Sequence, residues 1–213
     1  MDTPPRSSPT DAPPLRLHVG AGRRRLEGWI NLDVQLLPGV DVVADVTHGL
    51  LLSGAVAIYA EHFLEHLPID AAVDFLGECH RALRPGGALR LSTPNLDWVW
   101  ASHYRLEGSE EEKRSWGIRL NRAFHGWRHR YLWNRETLGL ALAATGFDDV
   151  AWCRYGESAR PVFQGLEGHD TYDDSPDLPH VIIAEAVKGD PRPRELKAFR
   201  RWAEEELLSH MAD

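Results

Sequence analysis

Four short apolar segments in the first 61 residues each stop at a glycine or a carboxylate, and this pattern restricts the fold more than any other feature of the chain. Leu15-Arg16-Leu17-His18-Val19 stops at Gly20, Trp29-Ile30-Asn31-Leu32 at Asp33, residues 40–44 at Asp45 and residues 55–60 at Glu61. Apolar runs of this length read as strands, and their alternation with helical patterns marks an α/β domain with a largely parallel sheet. In open sheets of that kind ligands bind at the carboxyl ends of the strands, where the glycine and the acids fall.

The rest of the chain continues the alternation. Asp70, after Pro68, is placed to cap a helix in which Ala72, Phe75, Leu76, Cys79, Ala82 and Leu83 recur at helical spacing. Pro85-Gly86-Gly87 ends it, and residues 88–92 read as a fifth strand. Asn134 is placed to cap a second helix, with Leu138, Ala141, Leu142 and Thr145 on one face and Gly146 as its stop. Residues 147–155 and 181–187 read as two later strands. The expected organisation is a disordered leader (1–14), one α/β domain (15–189) with an insertion after the fifth strand (95–133), and a C-terminal helix (190–213). That helix carries Leu196, Phe199, Trp202 and Leu207 in a charged background, which suits packing on the domain or on a second chain and leaves a homodimer open. Residues 156–179, with many Gly, Asp and Pro, read as a long loop.

Composition narrows the class. Hydrophobic residues make up 43% and charged residues 26%, as in globular proteins. No apolar run reaches the roughly 18 residues that a membrane-spanning helix needs, and the amino terminus lacks the basic and apolar regions of a signal peptide. A cytoplasmic protein with no membrane partner is expected. The net charge of −8 weighs against a nucleic-acid partner. Cys79 and Cys153 have no partner motif and read as buried thiols.

The chemistry-bearing residues form an ordered set. Gly20-Ala21-Gly22 lets the backbone turn tightly beside a ligand. Asp33 ends the next strand, where a carboxylate can accept from two ribose hydroxyls, and Asp45 lies one strand further out. A Gly-x-Gly alone describes a tight turn with surface aspartates equally well. The series Gly20-Ala21-Gly22, Gly28-Trp29-Ile30-Asn31-Leu32-Asp33, His62-Phe63-Leu64-Glu65-His66-Leu67 and Arg81 to Gly87, in that order, resembles the class I S-adenosylmethionine-dependent methyltransferases, in particular a small bacterial branch. The resemblance is strong over residues 15–96 and weaker to 187. It implies a Rossmann-like seven-stranded, mostly parallel sheet with the last strand antiparallel and helices on both faces. It implies S-adenosyl-L-methionine across the carboxyl ends of the first four strands. Gly20, Ala21 and Gly22 would face the methionine part, Asp33 would hold the ribose, Asp45 and Val46 would flank the adenine, and Glu61 and His62 would line the floor near the sulfonium. Two departures stand out. Many relatives carry a carboxylate where His18 stands, so His18 takes that place among the cofactor-side candidates. The link from Gly22 to the second strand is also short for a parallel crossover, so its helix is expected to shrink to a single turn.

Methyl transfer asks the protein to align a nucleophile and, for a hydroxyl, to remove its proton. His62, His103, His125 and His129 are candidate bases, with Tyr131 as an alternative; His62, His129 and Tyr131 are taken as the catalytic set. The aromatics of residues 95–133, with Gly108, Gly117 and Gly126 as hinges, suit a lid over the acceptor, although a small helical core would use them as well. His62-x-x-Glu65-His66 has the spacing of an inverted zinc-protease signature. No third ligand is identifiable in the sequence, so no metal is expected. The expected activity is O- or N-methylation of a small-molecule or saccharide acceptor. A catalytically silent cofactor-binding partner protein is the main rival. A dehydrogenase is weaker, because Arg23-Arg24-Arg25 follow Gly22 where the dinucleotide fingerprint needs its third glycine.

Overall fold

The computed structural model describes residues 13–169 and 175–208, and the expected leader lies outside them except for its last two residues. Seven strands form one sheet: β1 (Arg16–Val19), β2 (Ile30–Asp33), β3 (Val42–Val43), β4 (Ala55–Glu61), β5 (Leu83–Pro94), β6 (Phe147–Cys153) and β7 (Val181–Lys188). Their order is β3-β2-β1-β4-β5-β7-β6. The first five run parallel, and β7 is antiparallel to both β5 and β6. The order reverses direction between β1 and β4, which opens a crevice at their carboxyl ends.

The period-2 alternation along the strands sorts side chains onto two faces. Leu17 and Val19 of β1, Ile58 and Ala60 of β4, and Leu89 and Leu91 of β5 enter the main core. They meet Ala72, Phe75, Leu76 and Cys79 of α1 (Ile69–Ala82). Farther along the same face they meet Leu138, Ala141 and Leu142 of a helix at Arg135–Ala144, and Phe199 and Ala203 of the helix at Pro193–Leu208. Pro68, not Asp70, occupies the cap position of α1. Proline's fixed φ suits a helix entry, and Asp70 instead sits in the first turn, where its charge complements the helix dipole. Asn134 caps its helix as expected, its Oδ1 accepting from the Thr137 amide at 2.9 Å.

The opposite face has a different cover. Residues 20–29 contain turns and no helical turn, so the single turn expected there does not form. Ala57, Tyr59 and Ala88 face this side, and Trp29 and Phe163 close over them, with Phe163 delivered by a 3-10 turn at Pro161–Phe163. The Trp29 ring lies 6.3 Å from both Tyr59 and Phe163. The loop read after β6 therefore covers the face that the short crossover leaves bare. It is anchored by a buried charge group. Arg90 of β5, fully buried, donates from Nε to Glu167 Oε1 at 2.6 Å and also pairs with Glu185 of β7. Glu167 Oε2 in turn accepts from the Gly156 amide at 2.9 Å.

The insertion after β5 forms α2 (Leu96–His103), α3 (Glu110–Asn121) and a π-helical turn (Arg122–Gly126), with the Arg135–Ala144 helix following as α4 and the C-terminal helix as α5. Val99, Ala123 and Leu132 give it a small core of its own, while α3 has no buried residue, so Arg114 and Arg119 lie on a solvated face. Cys79 and Cys153 are free thiols, and no helix among the described residues is long and apolar enough to cross a membrane.

Arg90→Leu should strand Glu167 and leave Glu185 with only the partly exposed Arg160 at 3.2 Å, and losing one partner of a buried pair costs about 3–5 kcal/mol. The urea midpoint should fall accordingly, and protease cleavage should appear first in residues 156–169. A change under about 1 kcal/mol, the worth of a surface ion pair, would show that the group does not anchor the loop.

Candidate functional site

Two cavities meet at the carboxyl end of the sheet. The first, about 500 Å3, lies over β1, β2 and β4 and is lined by Gly20, Asp33, Asp45, Val46, His62 and Phe63 among others. The second, about 590 Å3, is enclosed by the insertion and by the start of β7, with Trp98, His103, Trp127, His129 and His180 on its wall. His62 and His66 line both.

The sequence of the first wall explains its shape. Gly20 has φ +67°, and a Cβ on it would stand 2.6 Å from Phe63 Cδ2, so both backbone and space require glycine here. The Ala21 amide donates to Leu32 O at 2.9 Å, which lashes the turn to β2. The Gly22 amide donates to Asp33 Oδ2 at 2.8 Å and the Gln35 amide to Oδ1 at 2.9 Å. Each Asp33 oxygen thus holds one amide and keeps acceptor capacity toward the cavity. Asp45 caps the 3-10 turn Val46–His48: its Oδ1 accepts from Thr47 Oγ1 at 2.6 Å and from the Thr47 amide at 3.0 Å, and these bonds lower its pKa.

Four of the cofactor-side candidates lie off this lining. Ala21 and Gly22 act from behind the wall, as described. His18 is drawn to the other side of β1, where its Nδ1 donates to Asn31 Oδ1 at 2.9 Å and its ring stacks on Tyr59 at 5.4 Å. Burial, more than anything else, lowers its pKa. Glu61 is drawn toward the long loop. Its Oε1 accepts from the Gly168 amide at 2.7 Å and from His169 Nδ1 at 2.7 Å, and Arg24 pairs with Oε2 at 2.6 Å. Burial alone would raise the Glu61 pKa, but the bonds from His169 and the two amides hold it down to about 2.

The shared wall is built around a buried carboxylate. Glu65, fully buried, belongs to the 3-10 turn Leu64–His66. Its Oε1 lies 2.9 Å from His62 Nδ1, and its Oε2 accepts from Thr93 Oγ1 at 3.1 Å. His62 has φ +47°, a left-handed conformation rare outside glycine, fixed by its amide donating to Ser92 O at 3.0 Å. Burial depresses the His62 pKa, but the hydrogen bond to Glu65 and its charge outweigh that and raise it. Residues 62–66 are not an α-helix, so the protease-like spacing does not place His62 and His66 one helical turn apart.

The insertion supplies the far side. His129 Nδ1 donates to Ala123 O at 2.7 Å, and the ring lies 5.3 Å from His66 and stacks on Trp127 at 5.9 Å. Burial lowers its pKa. The Arg130 and Tyr131 amides donate to Glu65 O at 2.7 and 3.3 Å. The chain bends there, and Tyr131, expected beside the histidines, instead lines a separate hollow between α1 and α5, its ring 4.7 Å from Trp133. His103 reaches the second cavity; His125 reaches neither.

The structure also assembles what the sequence did not reveal. One ligand atom each from Glu65, His66 and His129 fall within 4.8 Å of one another, a group able to hold a metal ion. His169 lies with its ring 4.9 Å from His62. It comes from the long loop, where no spacing rule tied it to the site.

Comparison with known proteins bears on this geometry. Residues 52–151 match a family described as a methyltransferase domain. No curated protein sequence matches the chain. Among solved structures, a SAM-dependent methyltransferase from Archaeoglobus fulgidus superposes with TM-score 0.51 at 16% identity, over 82% of this chain and 86% of that one. The 1,6-didemethyltoxoflavin-N1-methyltransferase of Burkholderia thailandensis, solved with 1,6-didemethyltoxoflavin and S-adenosylhomocysteine, superposes with TM-score 0.51 at 18% identity, over 84% and 72%. The CurJ carbon methyltransferase gives 0.51 at 16% identity, over 86% of this chain, which spans 50% of that one. The fold is that of a methyltransferase. The family match takes in just under half of the chain, residues 52–151, and the structures share its fold.

Gly20→Ala should lower stability by about 1–3 kcal/mol, the usual range for forcing an extra methyl into packed surroundings, with a left-handed backbone adding strain. Gly77→Ala, within α1 and with nothing within 4 Å of the new methyl, should be neutral or stabilising by up to about 1 kcal/mol. Thermal melts of the two variants check the contrast.

Proposed function

We propose that the chain is an S-adenosyl-L-methionine-dependent methyltransferase whose cofactor occupies the first cavity and whose acceptor, a small molecule or saccharide, occupies the second. The observation that carries this reading is the pair of adjoining cavities with His62 and His66 in both linings. A group held on one side and a nucleophile held on the other would meet at that wall.

The residues present fit the cofactor. A cavity of about 500 Å3 is in the range of roughly 300–1,000 Å3 usual for small-molecule sites. Gly20 offers a close backbone approach. Asp33 offers two carboxylate oxygens for ribose hydroxyls, and Asp45 and Val46 stand one strand further out, where the adenine would lie. His18, Ala21, Gly22 and Glu61 support these groups from outside the lining. When bound, S-adenosylmethionine supplies an electrophilic methyl group on sulfur.

The protein's part is alignment and proton transfer. Glu65 accepts a hydrogen bond from His62 Nδ1–H, which fixes the tautomer and leaves Nε2 with a free lone pair. His62 Nε2 is the base for a hydroxyl or ammonium acceptor, and His129, held by Ala123 O, faces the acceptor from the other wall. Trp98 and Trp127 supply flat apolar surfaces suited to a ring or a sugar. The acceptor is O- or N-methylated on this reading, and the exclusion of water by the insertion favours an alignment of the kind that near-attack geometry requires.

Calorimetry with S-adenosylhomocysteine tests the cofactor half. Asp33→Ala should weaken binding at least about tenfold, because each charge-assisted hydrogen bond contributes about 1.5–3 kcal/mol, with the melting temperature of the free protein little changed. No binding by the unaltered chain would end the proposal. Methyl-labelled cofactor offered with pooled sugars and phenols tests the acceptor half, and His62→Ala should cut label transfer by about a hundredfold or more.

A further inference from the structure

We propose that Glu65, His66 and His129 hold a divalent first-row transition-metal ion at the inner end of the acceptor cavity. A sequence reading finds no third ligand beside His62 and His66; the fold brings one from the insertion, 63 residues after His66, and exchanges His62 for Glu65.

Four observations carry the assignment. The three ligand atoms lie within 4.8 Å of one another. Bonds of about 2.0–2.2 Å to a shared ion need ligand separations of about 3.3–3.6 Å, which a small rotation of the exposed His66 ring supplies. His129 is already prepared as a ligand. Its Nδ1 proton goes to Ala123 O at 2.7 Å, so Nε2 carries the lone pair, the orientation that second-sphere carbonyls impose on metal-bound imidazoles. Glu65 is fully buried, yet among the described residues its one ion-pair partner is His62. A buried carboxylate with so little counter-charge is costly, and a divalent cation would offset that cost. Finally, the two ligand-bearing segments are hydrogen-bonded together, through the Arg130 and Tyr131 amides on Glu65 O, so the ligands are held on a joined frame.

The donor set selects the ion. Two imidazoles and one carboxylate suit zinc, cobalt, iron or manganese better than magnesium or calcium, which favour all-oxygen shells. Three protein ligands leave coordination positions open, and all three residues line the second cavity, so the open side faces the acceptor. The metal's role rests on the methyltransferase reading; the site itself does not. It would bind the acceptor hydroxyl and lower its pKa. The hydroxyl proton passes to His62 Nε2, and the new O–CH3 bond forms as the S–CH3 bond of the cofactor breaks. The acceptor class is therefore an oxygen nucleophile.

The full chain, stripped with chelator and then titrated with zinc or cobalt chloride, should bind one equivalent by calorimetry, and cobalt should give the visible absorption of a mixed nitrogen and oxygen shell. His66→Ala and His129→Ala should each weaken binding at least about tenfold, roughly the loss seen even for supporting groups of metal sites. His48→Ala, an exposed histidine outside the cluster, should leave it unchanged. Thermal melts of the same samples report that each variant is folded, and binding of S-adenosylhomocysteine by the unaltered chain tests the cofactor reading separately. No metal bound at about 1 mM, a dissociation constant worth only about 4 kcal/mol, overturns the site. So does metal affinity equal in all three variants, whether or not the homocysteine ligand binds.

Discussion

The segment joining β1 to β2 spans residues 20–29 and is too short for the helix that usually covers a parallel crossover. Much else in the structure answers that constraint. The face of the sheet carrying Ala57, Tyr59 and Ala88 would be open to water, and burial of large aromatics is among the strongest stabilising terms available to a domain of this size. Trp29 and Phe163 supply it. Phe163 can do so only if the loop after β6 is held down, and the buried group of Arg90, Glu167 and Glu185 holds it. The loop that covers the bare face then delivers Gly168 and His169 to Glu61 at the end of β4. The missing helix and the shape of the site are thus one problem with one solution.

Glu65 plays the corresponding part at the carboxyl end of the sheet. A fully buried carboxylate must be satisfied on every side. Its side chain takes His62 and Thr93, and its carbonyl takes the amides of Arg130 and Tyr131. These four contacts come from three separate stretches of chain. They fix the rotation of His62, tie the turn after β4 to β5, and close the insertion onto the sheet. The left-handed backbone at His62 is the strain this convergence holds in place.

Local signals in the sequence carried the sheet well. Strand ends at Gly20, Asp33 and Glu61 were legible because a parallel sheet writes each strand as a short apolar run with a polar stop; the third strand, expected to run to Asp45, ends at Val43, and Asp45 caps the next turn. The Asn134 cap and the Gly146 stop were legible because helix ends have their own chemistry. The resemblance to methyltransferases brought the antiparallel β7. The site was only half legible. Gly20, Asp33, Asp45, Val46 and His62 line the first cavity, since their places follow from strand ends. His18 and Glu61 occupy strand positions of the same kind, but partners distant in sequence, Asn31 and His169, claim their side chains. Tyr131 was misplaced for a similar reason: a bend made by amides reaching Glu65 turns it into the hollow beside α5. No spacing rule reports such contacts. The third member of the Glu65, His66 and His129 group was hidden likewise, because the insertion that carries it has no periodicity of its own to place it.

The insertion nonetheless contains one local feature that follows from the site rather than from its own packing. After α3 the helix widens into a π-helical turn at Arg122–Gly126. In a continuing α-helix the Ala123 carbonyl would accept from the Trp127 amide, four residues on. Here the Trp127 amide goes to His125 instead, and Ala123 O is left to accept from His129 Nδ1. A π-turn is a costly irregularity that proteins retain mainly at functional sites. This one converts a helix carbonyl into the group that holds Nδ1 of His129, a residue that lines the second cavity. The same turn places Trp127 against that ring. A helix built only to bury Val99, Ala123 and Leu132 would need no such break, so the geometry of the turn belongs with the placement of the histidine it holds.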